Sequence, residues 1–178
     1  MDIFDQKEVL KHFSVLVDTR EQPSKRADKR YEAFGSPYER AKLDCGDYTY
    51  NAILPDGSAI HDPTKNVIPL VAVERKMSLD ELAQCFTHDR QRFKREFERA
   101  QAHGCRIYLL CENATWENLI NGKYRSRFNP KAFIASIIAW QIRYDMQLLF
   151  CKEETSGALI KEILYRDLKE RLENGEFG

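Results

Sequence analysis

Short apolar runs that end in charged residues are the first regular feature of the chain. The run 14–17 is rich in valine and is followed directly by the polar segment DTREQ, and the run 67–73 is followed by ERK. Runs of this kind are typical of buried strands that deliver polar side chains to one edge of a sheet. We therefore expect strands at 14–17, 42–51 and 67–73, with the last two forming a hairpin around a turn at residues 55–57.

Helix-period patterns alternate with further strands in the second half of the chain. Ser78 and Glu81 match a capping box, and apolar residues then recur at helical spacing as far as Gly104, which predicts one long helix. We expect a basic, helical or irregular crossover at 23–40, strands at 106–111 and 146–151, and helices at 130–144 and 156–172. This order predicts an α/β fold with a mixed central sheet flanked by helices on both faces.

Length and composition limit the classes of protein. The chain has 178 residues, which predicts a single domain over residues 1–178. Hydrophobic residues make up 43% and charged residues 31%, which excludes disordered and fibrous classes. The formal net charge is zero, so any affinity for nucleic acid must come from local basic patches.

The chain shows neither a membrane span nor a secretory signal. Its longest apolar run, 132–140, is interrupted by a serine and is far shorter than the roughly 20 residues that a span needs. Charges of both signs are mixed through residues 1–13, so we expect an intracellular, cytoplasmic protein. The five cysteines form no CxxC pair and are expected to be buried thiols.

Acidic and basic residues cluster after the three predicted strands. In an open α/β sheet such strand ends are where ligands bind. If the cluster assembles, five carboxylates and three cations give a local charge of −5 + 3 = −2, which favours an oxygen-ligand site for Mg²⁺ or Mn²⁺. The residues are Asp18, Arg20, Glu21, Asp47, Glu74, Arg75, Lys76 and Asp80.

The strand that ends in VERK suggests how such a site could work. Side chains alternate along a strand, so Glu74 and Lys76 are expected to point the same way and Arg75 the opposite way. Glu74 can bind an ion, and the Lys76 ammonium can orient the attacking water or balance charge on a phosphoryl transition state. Taken alone, this pattern also fits a solvated strand end.

Three segments resemble the nuclease domain of the XPF family. They are VDTREQ at 17–22, GDY at 46–48 and VERKMSLD at 73–80, and together they match the signature GDx(n)ERKx3D. The resemblance continues through HDRQRFKREFERA and covers nearly the whole chain. It implies a restriction-endonuclease-like fold of the PD-(D/E)XK superfamily and cleavage of DNA phosphodiester bonds near branches or flaps with magnesium or manganese. The chain is similar to stand-alone bacterial and phage versions of the domain, without a helicase part or a helix-hairpin-helix module.

The same resemblance implies roles for the clustered residues. Asp47 and Glu74 would be metal ligands, Asp18 an acidic neighbour of the metal, and Lys76 the water-orienting or charge-stabilising group. The remaining four, Arg20, Glu21, Arg75 and Asp80, would complete and brace the site. For Asp80 a simpler interpretation stays open, because acidic residues are generally favoured in the first turn of a helix.

Two basic segments are candidate DNA contacts. Residues 121–131 carry Lys123, Arg125 and Arg127 without an acidic residue, which suits contact with phosphates. Tyr124 and Phe128 in this segment could stack on an exposed base or anchor the loop to the core. Arg90 and Arg92 correspond to an arginine-containing stretch of the family.

The apolar helix at 130–144 leaves the oligomeric state open. Family resemblance implies a homodimer in which this helix and the helix at 156–172 are covered, whereas a central core helix in a monomer explains the pattern equally well. The function that we expect is a metal-dependent DNA endonuclease in DNA repair or recombination. The alternatives are a catalytically inactive DNA-binding or scaffolding module of the same fold and a hydrolase of small phosphate esters.

Overall fold

A computed structural model describes residues 2–177 and shows one seven-stranded sheet between two layers of helices. The strands are β1 (Ser14–Asp18), β2 (Tyr38–Leu43), β3 (Tyr48–Asn51), β4 (Asn66–Val67), β5 (Val71–Lys76), β6 (Arg106–Glu112) and β7 (Gln147–Cys151). The helices are α1 (Ile3–Lys11), α2 (Lys25–Glu32), α3 (Leu79–Phe86), α4 (Arg90–Ala102), α5 (Trp116–Ile120), α6 (Pro130–Tyr144) and α7 (Glu153–Glu173).

The sheet is mixed, and its one reversed strand decides where the site forms. Its order is β4-β2-β1-β3-β5-β6-β7. β3 runs antiparallel to both β1 and β5, whereas the other neighbouring pairs are parallel. The beginning of β3 therefore lies at the same edge of the sheet as the ends of β1 and β5.

Each face of the sheet has its own hydrophobic core. On one face α3, α4 and α6 pack an aromatic cluster in which the rings of Phe86, Phe93 and Phe97 surround Trp140 at centroid distances of 4.8–5.3 Å. On the other face α1, α2 and α7 cover Val15, Val17 and neighbouring strand residues. The expected layer structure, with helices on both faces, is confirmed.

Several expected elements are wrong in detail. The strand expected at 42–51 is two strands, β2 and β3, because the chain turns at Gly46 between them. The long helix expected after Ser78 is broken at residues 87–89, between α3 and α4. There the Thr87 hydroxyl donates to the carbonyl of Ala83 (2.9 Å), so a side chain competes with the backbone N–H groups for this acceptor. The expected hairpin is confirmed in part. Its two strands do pair antiparallel, as β3 and β5, but the connection between them contains a further strand, β4.

The strand expected at 67–73 is divided as well: its first residue ends β4, and β5 begins only at Val71. The remaining expectations agree with the structure within a few residues, although α1 and α5 were not expected from the pattern. The five cysteines are free thiols, four of them buried and Cys151 partly buried. Among residues 2–177, no helix has the length and apolar character that crossing a membrane requires.

Candidate active site

Three strand ends meet at one edge of the sheet. β1 ends at Asp18 and β5 at Lys76, while the antiparallel β3 begins at Tyr48, directly after Asp47. The backbone N–H of Asp18 donates to the carbonyl of Asp47 (2.8 Å), and the N–H of Asp47 donates to the carbonyl of Val73 (2.9 Å). The expected convergence of the three segments is therefore confirmed by their backbone hydrogen bonds.

The position of Asp47 depends on the glycine before it. Gly46 has a φ of 74°, and a Cβ at this position would lie 2.6 Å from the Cβ of Ala72, so the turn accepts only glycine without rearrangement. The carboxylate of Asp47 accepts the backbone N–H of Arg75 through Oδ2 (2.7 Å), and the N–H of Gly46 donates to Glu96 (3.0 Å). These bonds hold Asp47 against the end of β5.

Asp47, Glu74 and Lys76 line one cavity of about 390 Å³. Glu74 and Lys76 lie on the same side of β5, as strand alternation predicts, and the Lys76 ammonium donates to the Glu74 carboxylate. The same ammonium lies 5.5 Å from the centroid of the Phe93 ring. Two carboxylates and one ammonium are thus gathered in one opening.

The protonation of these groups is shifted by burial and by their neighbours. Burial and the charge of Glu74 raise the pKa of Asp47 to about 8. Burial raises the pKa of Glu74 to about 7, although the Lys76 charge opposes the shift. Burial alone would lower the pKa of Lys76, but the charges of Glu74 and Asp47 outweigh it and the pKa is raised. The pair of carboxyls therefore resists full ionisation unless further positive charge comes close, whereas Lys76 stays an ammonium.

Four arginines line the same cavity. Arg92, Arg95 and Arg99 project from α4 at positions i, i+3 and i+7, which share one side of a helix. Arg20 comes from the end of β1, where Asp18 accepts its backbone N–H (2.7 Å) and its guanidinium. The cavity thus has a rim of cations above its carboxylates.

The family model described as "ERCC4 domain" matches residues 17–163 of the chain. The chain belongs to the ERCC4 domain family. The matched range includes every residue expected at the site, and the resemblance to the XPF-type nuclease domain is confirmed. No curated protein matches the chain.

Solved structures agree with the ERCC4 domain assignment at the level of the fold. XPF from Aeropyrum pernix matches with 24% identity and a TM-score of 0.57, over 85% of this chain and 64% of that chain. XPF from Aeropyrum pernix in complex with DNA matches with 22% identity and a TM-score of 0.58, over 88% of this chain and 65% of that chain. The chain therefore spans slightly less than two thirds of the length of these XPF chains, and the predicted fold class is confirmed.

Two of the expected site residues lie on the opposite side of β5 in this ERCC4 domain. Arg75 and Glu21 do not line the cavity but join a buried ion cluster with Arg30 and Glu112. Within it, Arg30 lies 3.0 Å from Glu21 and Arg75 lies 3.0 Å from Glu112. Glu21 and Arg75 thus brace the ends of β1 and β5 from behind. Glu112 was missed, although it follows an apolar run just as Glu74 does.

Asp18 and Asp80 also lie outside the cavity. Both oxygens of Asp18 accept hydrogen bonds from Arg20, so Asp18 orients that arginine, and its contact with a metal stays a prediction. Asp80 was expected to complete the site, but it accepts the backbone N–H groups of Arg125 and Ser126 instead. The first turn of α3 carries Asp80 away from the end of β5.

The candidate DNA contacts fall in three places. Arg92 lines the cavity, and Lys123, Arg125 and Arg127 are exposed on the loop before α6. The guanidinium of Arg90 lies over the Trp140 ring at 5.9 Å and donates to the carbonyl of Phe86 (3.3 Å), so its packing is structural and its contact with DNA stays a prediction.

Three charged residues of the cavity were not among the expected site residues. Arg95, Arg99 and Glu96 lie on the same helix as Arg92 and line the cavity with it. The signal that could have identified the arginines is their helical spacing from Arg92.

The donor set of the cavity fits a hard divalent cation. Among residues 2–177, no group of three or more His, Cys, Asp and Glu side chains has an arrangement that could hold a metal ion. Mg²⁺ does not need such a group, because it commonly binds through one or two carboxylates and completes its shell with water and substrate phosphates. Asp47 and Glu74 supply two such carboxylates, and their raised pKa values are the effect expected of a pair built to face a cation.

Proposed function

We propose that this ERCC4 domain is a divalent-metal-dependent DNA endonuclease that hydrolyses phosphodiester bonds at branched or flap DNA in DNA repair or recombination. The observation that supports it best is the meeting of Asp47, Glu74 and Lys76 in one cavity rimmed by arginines. A structural relative described as XPF in complex with DNA agrees with this substrate class.

Asp47 and Glu74 would hold Mg²⁺ or Mn²⁺ at the base of the cavity. When bound, the ion supplies positive charge to the scissile phosphate and lowers the pKa of an attacking water. Glu74 is buried and Asp47 is partly buried. Their carboxylates remain available to an ion because few other groups bond to them: the N–H of Arg75 on Asp47 and the ammonium of Lys76 on Glu74.

Lys76 acts as an ammonium. The charges of Glu74 and Asp47 raise its pKa, which favours the ammonium form. A fixed ammonium beside the ion site instead stabilises negative charge on the phosphoryl group in the transition state. Glu74 keeps Lys76 in place through their ion pair.

The arginine rim binds the DNA backbone. With all groups ionised, the five cations Arg20, Lys76, Arg92, Arg95 and Arg99 and the three anions Asp47, Glu74 and Glu96 sum to +5 − 3 = +2. A cavity of this charge attracts phosphate, and an ion held by the carboxylates would increase the attraction. Five cations in one cavity favour a phosphodiester within a continuous strand over a small phosphate ester.

The test compares purified wild-type protein with Glu74→Gln on labelled flap, fork, nicked and linear duplex DNA, in Mg²⁺, Mn²⁺ or chelator. We expect cutting by the wild type only with metal and a loss of more than about 10²-fold in Glu74→Gln, the range seen when a preorganised charge-stabilising group is lost. Glu98→Gln is the matched control, because Glu98 is exposed on α4 and, within residues 2–177, its one ion pair is with Lys94.

A second measurement separates binding of metal from cutting. Titration calorimetry with Mn²⁺ should show binding to the wild type and to Glu98→Gln, and at least about tenfold weaker binding to Asp47→Asn and Glu74→Gln, because each loses one anionic ligand. Metal-independent cutting, or full turnover by Glu74→Gln, would contradict the proposal. Wild-type protein that binds DNA but no metal would instead indicate an inactive DNA-binding module.

A further inference from the structure

The basic loop, residues 121–129 between α5 and α6, is hydrogen-bonded to α3, the helix that follows β5. Asp80 accepts the N–H of Arg125 (2.7 Å) and the N–H of Ser126 (2.8 Å) through Oδ1, and its Oδ2 lies 3.3 Å from Nε of Arg125. The side chain of Arg125 is nevertheless 91% exposed. Asp80 thus holds the backbone of the loop and leaves its cationic group in solvent.

The other side of the basic loop is fixed by its two aromatic residues. The Tyr124 hydroxyl donates to the carbonyl of Phe128 (2.8 Å), and the rings of Tyr124 and Phe128 lie 5.6 Å and 5.0 Å from the Phe133 ring. These rings anchor the loop to the core, so of the two roles considered for them, anchoring is the one the structure favours over stacking on a base. Three exposed cations alternate with the partly buried positions of the loop: Lys123, Arg125 and Arg127.

Helix α3 connects the basic loop to the cavity. Lys76 ends β5, Asp80 lies in the first turn of α3, and Cys85 in the last turn lines the cavity. Asp80 and Cys85 are about 7.5 Å apart along the helix axis and about 140° apart around it, from the geometry of an α-helix. The cavity and the loop anchor therefore lie on two sides of one short, rigid element.

Resting on the proposed nuclease function, we propose that the basic loop is a preformed contact for a DNA phosphate backbone and that Asp80 is its positioning residue. By fixing the loop to α3, Asp80 sets the distance from this contact to Asp47 and Glu74, and so determines which phosphodiester bond is cut. Phosphate contacts fix the register of a protein on a duplex without reading its sequence, so a rigid contact selects a position and not a base.

The charges and the rigidity of the loop explain why this contact is effective. Among the described residues, no carboxylate forms an ion pair with Lys123 or Arg127, and Arg125 pairs only with Asp80. Cations that meet DNA phosphates release condensed counterions, and a loop that is ordered before binding loses little conformational entropy when it binds.

Limited trypsin digestion tests the anchor independently of nuclease activity. Asp80→Ala should be cut after Lys123, Arg125 or Arg127 several times faster than wild type, because the loop backbone loses its fixed acceptor. Asp56→Ala is the matched control, since Asp56 makes the same kind of bonds to Ser58 in a distant turn. Equal digestion rates for Asp80→Ala and wild type, with both folded by circular dichroism, would overturn the anchor.

DNA binding is measured in the Glu74→Gln background, where no cutting is expected. Replacing all three loop cations by glutamine should weaken binding and reduce the slope of log K against log salt by about 2 to 3, near 0.9 for each lost phosphate contact. Asp80→Ala should weaken binding by roughly three- to tenfold, and it should add nothing when the loop cations are already neutral. Unchanged affinity and salt slope after neutralisation would overturn the loop as a DNA contact.

Mapping of cut sites on end-labelled DNA tests the positioning role. Asp80→Ala with Glu74 intact should spread the cuts over neighbouring phosphodiester bonds and raise KM more than it lowers kcat, whereas Asp56→Ala should cut as wild type does. A single, unshifted cut site in Asp80→Ala would overturn the positioning role. If the wild type cuts no DNA, the proposed function fails, while the digestion and binding results still decide whether the loop is an anchored DNA contact.

Discussion

At the scale of single residues, the two carboxyls at the base of the cavity, Asp47 and Glu74, make stability depend on pH. The folded-state pKa values of Asp47 and Glu74, about 8 and about 7, lie above the ordinary values of 3.8 and 4.5. As the pH rises from about 4, these groups ionise in the unfolded chain but keep their protons in the folded one. The folded state then binds more protons, so the free energy of unfolding of the metal-free protein falls until the pH passes about 8.

This pH dependence can be measured by thermal unfolding in chelator between pH 5 and pH 9. We expect the melting temperature of the wild type to fall with pH, at most by the equivalent of about 1.4 kcal/mol per pH unit for each carboxyl. Asp47→Asn should flatten the fall, whereas Asp56→Asn, at an exposed turn, should leave it unchanged. Mg²⁺ should restore the wild type most strongly near pH 8, and a melting temperature that rises across this range would contradict the assignment.

The same residues show what single positions in a sequence can reveal. Strand alternation was enough to place Glu74 and Lys76 together and Arg75 apart, because the period of a strand is fixed by its backbone. It could not place Asp80 or Arg90, because both lie on helices whose rotation is set by packing against distant residues. Asp80 reaches the loop at 125–126, and Arg90 reaches Trp140 on another helix.

At the scale of elements, a glycine in α7 determines how closely α2 can pack. A Cβ at Gly157 would lie 2.3 Å from the carbonyl oxygen of Arg30 and 2.8 Å from the Cβ of Ala33. In a free helix, Gly→Ala stabilises by about 1 kcal/mol. Here it must push α2 away from α7, and with it Arg30 of the buried ion cluster.

We therefore expect Gly157→Ala to destabilise the protein by about 1–3 kcal/mol, the usual cost of overpacking. Urea unfolding should show a lower midpoint with an unchanged m value. Glu170→Ala, at an exposed position of the same helix, should change the stability by less than about 0.5 kcal/mol. A stabilised Gly157→Ala variant would contradict this expectation, because it would show that α2 can move away from α7 without a loss of stability.

Element boundaries show where the local pattern stopped being informative. Helix α6 was predicted at 130–144 and is observed as Pro130–Tyr144, with proline at its first position and a left-handed Asp145 after its last. The break between α3 and α4 carries no proline or glycine, so the apolar spacing continued across it. The turn at Gly46 lies inside the strand expected at 42–51, and the close approach of Gly46 to Ala72 on β5 is a contact that the local pattern does not report.

At the scale of the whole molecule, the two helices expected at a dimer interface lie on opposite faces of the sheet. α7 buries Ile160, Leu164 and Leu168 in the core that it shares with α1 and α2. α6 packs on the other face and leaves Ile138 (42%) and Ile142 (80%) exposed one turn apart. We propose a homodimer that forms around this exposed face of α6, with α7 serving as a core helix.

A charge at the centre of this face should separate the copies. Ile142→Lys is expected to convert a dimer of twice 20.9 kDa into a monomer in sedimentation equilibrium, because each isologous interface would bury the new charge twice. Ile68→Lys is the matched control, since Ile68 is 45% exposed and directly follows the edge strand β4 in the chain, outside α6. Since neither isoleucine lines the cavity, a monomeric Ile142→Lys protein should still bind Mn²⁺ like the wild type. A wild-type protein that sediments as a monomer at high concentration would instead leave this pair of isoleucines as ordinary exposed surface.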